Sequence, residues 1–295
     1  MMELMKLTDK TYYIRNVTQI GVYVAGGGRA WIIDTGVDKI VGKRILKIVK
    51  EQGWQVGGIV NTHSHADHIG GNAAIQEAAH CPILASRIES GFIESPELEG
   101  AVLYGGRPGG LLSGKFYRAQ PSQLEGDWSA LPQGLSVFPL YGHAGGMVGV
   151  RTDDGVCFIG DAVLDEATLQ KHPVSYTYDV EGFLRTLDWL DQNLQGKLVV
   201  PSHAPVTSDV TALTAVTRRN AMANIALLED ICAGGPVRVE EIYKTVFDHY
   251  GIECDFGSYQ LNSSTLRGYL SYLCDQGRIQ PVVAQNVLYF EKAGE

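Results

Sequence analysis

Cysteine is scarce and scattered: Cys81, Cys157, Cys232, Cys254 and Cys274 are an odd number, with no C-x-x-C pair. That excludes a disulfide framework or thiolate zinc knot and fits buried thiols in a reducing compartment. No run of about 18 apolar residues occurs. The start Met1-Met2-Glu3-Leu4-Met5-Lys6 has no basic end followed by an apolar stretch. Neither membrane spanning nor export is expected, and the chain reads as cytoplasmic. Basic runs are missing too. The 24 Lys and Arg stand against 33 Asp and Glu, a net charge of -9, which argues against a nucleic-acid partner or an anionic-membrane surface. No G-x-G-x-x-G opens a helix and no G-x-S-x-G elbow occurs, so a dinucleotide cradle and a serine nucleophile are disfavoured. What remains, 295 residues at 45% apolar content, suits one large domain and a small one.

What the chain does have is T-H-S-H-A-D-H-I. His63, His65, Asp67 and His68 place four candidate metal ligands within six residues, directly after the apolar run Gly58-Ile59-Val60. In an extended or tightly turned segment His63 and His65 project the same way, while Asp67 and His68 can swing aside as a helix begins. One short loop can therefore feed two metal ions. Imidazole and carboxylate suit Zn2+, Fe2+ and Mn2+ alike, so the set indicates a metal without choosing it.

Three more candidates end apolar runs: His143 after Leu140-Tyr141-Gly142, Asp161 after Phe158-Ile159-Gly160, and His203 after Val199-Val200-Pro201-Ser202. Singly, each has an ordinary reading as a hydrogen-bonded histidine or a turn residue. Together with the first cluster they repeat one pattern, a reactive group at a strand end.

H-S-H-A-D-H, then G-H, then G-D, then S-H, in that order, resembles the metallo-beta-lactamase superfamily over roughly residues 11–208, in the style of its glyoxalase II-like and lactonase-like members. The resemblance implies that His63, His65 and His143 hold one ion and that Asp67, His68 and His203 hold a second, with Asp161 bridging them alongside a water or hydroxide. It casts Asp161 and Asp67 as catalytic, with Asp67 a proton shuttle. Asp34, in Ile33-Asp34-Thr35-Gly36, resembles the family's D-T-G turn and is read as orienting a ligand or its loop. Two departures spare the ligands: G-H-A-G-G-M where Thr or Ser and Pro often follow the His, and S-H-A-P where G-H is common.

Apolar runs at Thr11 to Ile14, Ile20 to Ala25 and Ala30 to Asp34 predict a strand meander, with Gly26-Gly27-Gly28 as a hairpin. Helical spacing follows over Val37 to Gln52, then a strand at Ile59-Val60, a helix over Asn72 to His80 with His80 at its end, and a strand at Pro82 to Ala85. Residues 86–131 loosen, with glycines and prolines among aromatics; a lid over the metals and a surface excursion are equal readings. For His172, in Lys171-His172-Pro173, a solvated loop is preferred. Helices are predicted after Asp179, over Thr211 to Cys232, Val239 to Tyr250 and Ser263 to Gln276, then a hairpin around Gln285-Asn286.

The resulting expectation is an α/β fold, a four-layer αβ/βα sandwich of two mixed sheets with outer helices over residues 1–210. A small C-terminal helical, winged-helix-like domain follows over 211–295. Its seven Lys and Arg against ten Asp and Glu, net -3, favour packing or dimerisation over groove reading. A homo-oligomer fits this. The expected function is dinuclear hydrolysis of a small ester, thioester or lactone, with two divalent ions, zinc by default and iron or manganese as alternatives. The competing readings are a phosphodiesterase or nuclease on the same ligands, and a mononuclear iron oxidoreductase of the persulfide dioxygenase type.

Overall fold

The computed structural model describes residues 2–294. A six-stranded sheet runs in chain order through β1 (Glu3–Lys6), β2 (Thr11–Arg15), β3 (Ile20–Ala25), β4 (Arg29–Ile33), β5 (Gln55–Val60) and β6 (Ile83–Leu84). The first four strands pair antiparallel, and β5 and β6 add in parallel. The triple glycine is the tight turn between β3 and β4, as expected. The parallel additions need crossovers, which α1 (Lys39–Glu51), α2 (Ala66–Ile69) and α3 (Asn72–Ala79) supply. The Asp38 carboxylate starts α1 by accepting from the Ile40 and Val41 amides. His80 ends α3 in the left-handed conformation, φ 49°.

Side-chain alternation sorts two cores. Val22, Ile32 and Ile59 pack under α1 and α3 against Ile45, Val49 and Ile75. Tyr23, Trp31, Ile33 and Val60 face the other way, onto a second sheet. That sheet has the order β10-β9-β8-β7, from β7 (Leu135–Pro139), β8 (Val148–Thr152), β9 (Val156–Phe158) and β10 (Leu198–Val200), with β9 and β10 parallel. Its outer face is covered by α7 (Val180–Asn193) through Phe183, Leu187 and Leu190. Full burial of each such side chain contributes roughly 1.5–3 kcal/mol.

Between the sheets in sequence, residues 86–131 are more regular than their composition suggests. They hold α4 (Arg87–Glu94) and α5 (Glu97–Tyr104), separated at Pro96. Each has eight residues, too short for a periodicity signal. Then come α6 (Glu166–Lys171), α7 (Val180–Asn193), capped by Asp179, and α8 (Val210–Cys232). The long helix α8 belongs to two cores: Val210 and Ala221 join that of α7, while Ile225, Leu228 and Cys232 join the C-terminal one.

That last core is built by α9 (Val239–Tyr250) and α10 (Phe256–Asp275) beside a three-stranded sheet in which β13 (Val287–Lys292) lies between β11 (Val237–Arg238) and β12 (Ile279–Ala284). α10 starts earlier than its apolar spacing indicates because Asp255 and Ser258 form a reciprocal capping box. The β12–β13 turn puts Gln285 and Asn286 at φ 52° and 61°, the left-handed pair a tight hairpin needs. No described helix is long and apolar enough to cross a membrane.

Candidate metal centre

All seven residues singled out in the sequence converge at one edge of the paired sheets. His63, His65, Asp67 and His68 follow β5, the last two within α2; His143 follows β7, Asp161 follows β9, and His203 follows β10. Before His143, Gly142 stands at φ 103°, and a Cβ there would lie 2.1 Å from the Phe183 amide nitrogen. Only glycine lets the chain approach α7 closely enough to turn His143 inward.

Three overlapping groups have their ligand atoms within 4.8 Å of one another: His63, His65 and His143; His63, His68 and Asp161; Asp67, His68 and His203. His65 Nδ1 lies 3.0 Å from both His63 Nε2 and His143 Nε2. Asp161 reaches the other side: its Oδ1 is 3.1 Å from His68 Nε2, and its Oδ2 is 3.3 Å from His203 Nε2 and 3.5 Å from His143 Nε2. Asp67 Oδ2 lies 3.2 Å from His203 Nε2 and accepts from the Thr18 hydroxyl at 2.9 Å.

Outer contacts decide which ring nitrogens point inward. Thr62 Oγ1 donates its one proton to Asp34 Oδ2 at 2.7 Å, so it accepts from His63 Nδ1 at 3.0 Å. His143 Nδ1 donates to the Tyr176 carbonyl at 3.1 Å and His68 Nδ1 to Asp34 Oδ2 at 2.9 Å. The Nε2 lone pairs of His63, His68 and His143 are thereby left facing the centre. His65 is reversed, with Nδ1 inward and Nε2 3.7 Å from Glu99 Oε1.

This donor set fits divalent cations. His68 Nε2 and Asp161 Oδ1, 3.1 Å apart, are buried with no other hydrogen-bond partner; with the His68 proton on Nδ1 both present lone pairs, an arrangement that costs stability unless a cation satisfies them. Two nitrogens on one tetrahedral ion at ~2.05 Å stand roughly 3.3 Å apart, close to the observed histidine spacing. Protonation follows each ring's neighbours: burial works to lower His68, but the Asp161, Asp67 and Asp34 carboxylates raise it well above the ordinary histidine range. Burial and neighbouring imidazoles hold His63 well below the ordinary histidine range. Burial takes His143 down to about 3 against the pull of Asp161. For His203 burial works downward, but the Asp161 and Asp67 carboxylates raise it to about 10. Two carboxylates sunk among imidazoles draw positive charge to this point, and metal ions would supply it.

Asp34 matches its expected place, buried and holding both Thr62 and His68. Two other carboxylates have no counterpart in the sequence reading. Glu89 on α4 is 1% exposed; it accepts from the Ser64 amide at 2.9 Å and from the Gly146 amide at 2.7 Å. It thus ties the His63–His65 loop to the loop that carries His143. Ser86-Arg87-Ile88-Glu89 has the pattern of a helix-capping box, but the Glu89 side chain is spent on these loops instead. Glu99 on α5 is the second. It lines a cleft of about 90 Å³ beside His65, with Ile88, Phe92, Val102, Tyr176 and Tyr178. His172 ends α6 and is exposed.

The metallo-beta-lactamase superfamily profile matches residues 15–203, well over half of the chain. Among curated proteins, the hydroxyacylglutathione hydrolase of Erythrobacter litoralis is 30% identical over 128 residues, 43% of this chain and 42% of that protein. The one from Methylococcus capsulatus is 36% identical over 50 residues, 17% and 20% of the two chains. The chain thus spans less than half the length of these relatives. Two solved structures share the fold nearly end to end. A beta-lactamase domain protein from Burkholderia ambifaria has a TM-score of 0.71 at 16% identity, covering 99% of this chain and 94% of its own. A metallo-beta-lactamase family protein from Thermus thermophilus has a TM-score of 0.69 at 19% identity, covering 99% and 98%. With the profile spanning the segment that carries every one of the converging histidines and aspartates, the chain belongs to the metallo-beta-lactamase superfamily.

Proposed function

We propose that this protein hydrolyses a small ester, thioester or lactone at a centre of two divalent ions, zinc by default and iron or manganese as alternatives. His63, His65 and His143 would hold one ion and Asp67, His68 and His203 the other, with Asp161 between them. The observation that carries the reading is the convergence of seven ligand side chains in three overlapping groups, with His68 Nε2 and Asp161 Oδ1 3.1 Å apart in the middle group and no other hydrogen-bond partner for either. When bound, such ions polarise a carbonyl oxygen and acidify water to near neutral pH.

The chain's own residues do the rest. In hydrolysis the oxygen of water adds to the carbonyl carbon, the bond to the leaving oxygen or sulfur breaks, and a proton must travel from the water to the leaving group. We assign that transfer to Asp67, whose Oδ2 accepts from the Thr18 hydroxyl and stands 3.2 Å from His203 Nε2. Ile88 and Phe92 of α4 and Val102 of α5 line one side of the cleft beside His65, with Ile88 and Val102 still exposed to solvent. Residues 86–131 therefore act as a wall or lid of the catalytic part, which we place at residues 1–210, with 211–295 as a C-terminal module.

Metal analysis of protein purified without added metal, paired with thioester and lactone probes, tests this. About two ions per chain are expected, and His65→Ala and Asp161→Ala should each abolish turnover while circular dichroism stays native. Turnover surviving both substitutions refutes the mechanism; a single tightly held iron would favour the oxidoreductase reading.

A further inference from the structure

Residues 173–178 join α6 to α7 without a helix or strand of their own, so their backbone is held from outside. On one side stands the C-terminal core. The side-chain amides of Asn220 and Asn224 on α8 donate to the Pro173 carbonyl at 3.0 and 2.9 Å, and Val174 is buried in the same core as Leu266 and Leu270. Further along, α10 passes so close that a Cβ on Gly268 would lie 3.1 Å from the Thr177 carbonyl oxygen and 3.3 Å from that of Tyr178. Ordinary carbon–oxygen contacts of this kind are about 3.3–3.6 Å. Glycine in a helix interior is destabilising relative to alanine, and here its bare backbone is what admits the segment.

The other side of the segment faces His143. The Tyr176 carbonyl accepts from His143 Nδ1 at 3.1 Å, and the Tyr178 and Asp179 amides both donate to the Gly142 carbonyl, at 2.8 and 2.9 Å. Resting on the two-ion reading above, we propose that Gly268 is a positioning residue for the metal centre: by letting α10 seat residues 173–178, it places the Tyr176 carbonyl where the His143 ring is turned inward, which makes the C-terminal module part of the centre's support. A side chain at position 268 displaces Thr177 and Tyr178 by a few tenths of an ångström or more. That shift reaches the His143 ring and the residue before it through the hydrogen bonds just described. Partners that orient a metal-binding histidine typically change metal affinity about 10–100-fold when they are disturbed.

The test places alanine and valine at position 268 and, as a control, alanine at Val246, a fully buried α9 residue of the same core. Chelator competition should show the ion that His143 would help hold weakened roughly 10–100-fold in Gly268→Val and less in Gly268→Ala. In metal-free protein, amide hydrogen exchange at Tyr178 and Asp179 should quicken at least about tenfold in both glycine variants. Alanine by itself favours a helix, so losses in Gly268→Ala do not come from α10 unfolding. Val246→Ala should lower the melting temperature yet leave both readouts at the parent values. Parent-like affinity or parent-like exchange in both glycine variants overturns the proposal, as does a Val246→Ala protein that reproduces the losses. If Gly268→Val does not fold, Gly268→Ala decides. A parent protein that binds no metal fails the two-ion reading separately, and exchange of the two amides then decides the proposal alone.

Discussion

Asp34 accepts a hydrogen bond from His68 Nδ1 at 2.9 Å while its own backbone is held in the left-handed region at φ 60°. A non-glycine residue in that conformation is uncommon, and a short polar side chain tolerates it best. The same carboxylate accepts from the Thr62 amide at 2.8 Å and hydroxyl at 2.7 Å. One strained, buried residue therefore fixes both the strand end before His63 and the ring of His68.

Asp34→Asn keeps the shape and the tolerance for positive φ but can present an amide N–H₂ where His68 needs an acceptor. The His68 proton then moves to Nε2, the atom that faces the centre. Metal affinity, measured by chelator competition, should fall roughly 10–100-fold with little loss of fold. Asp34→Ala leaves buried donors unpaired and should cost about 3 kcal/mol in urea unfolding. Unchanged metal affinity in the Asn variant would show that Asp34 only shapes the turn.

Glu89 predicts a different signature. Both its partners are backbone N–H groups, so Glu89→Gln replaces one acceptor by a donor facing a donor. The Ser64 and Gly146 loops should part, and under the two-ion proposal the ion that His63, His65 and His143 would hold should be lost before its neighbour. Metal titration would show one occupied site where the parent shows two, with kcat falling more than KM rises. Equal loss from both sites, tracking stability alone, argues against a positioning role.

Far from the centre, Asp154 links the β1–β2 turn to β8 and the turn after it. It accepts from the hydroxyls of Thr8, Thr11 and Thr152 and from the Lys10 amide. Burial works against its ionisation, yet these hydroxyls outweigh it and hold the carboxyl below the ordinary value of 3.8. A carboxyl depressed in the folded state contributes stability that is complete above the unfolded pKa and lost as pH falls through the folded one. Asp154→Asn should thus be less stable than the parent by about 1–2 kcal/mol at pH 7. The gap should close below pH 4. A gap independent of pH would assign the effect to packing.

The seven clustered residues were legible because histidine and aspartate at the ends of apolar runs are rare enough to announce themselves, and β5, β9 and β10 carry those runs. Asp34 was legible through the likeness of Asp34-Thr35-Gly36 to the superfamily's D-T-G turn. Glu89 and Glu99 were not. A glutamate on a short helix usually belongs to a solvated face, and only the folding of α4 and α5 over the β5 loop turns these two inward. The start of α10 was misplaced because its first turns rest on the Asp255–Ser258 cap rather than on apolar spacing.

The two-sided burial of α8 has a further consequence. With Val210 and Ala221 sealed into one interior and Ile225, Leu228 and Cys232 into the next, a single rigid rod of 23 residues transmits any loosening from one to the other. The tail of this chain is welded on rather than strung on, so shuffling it between cousins would mean transplanting the rod as well.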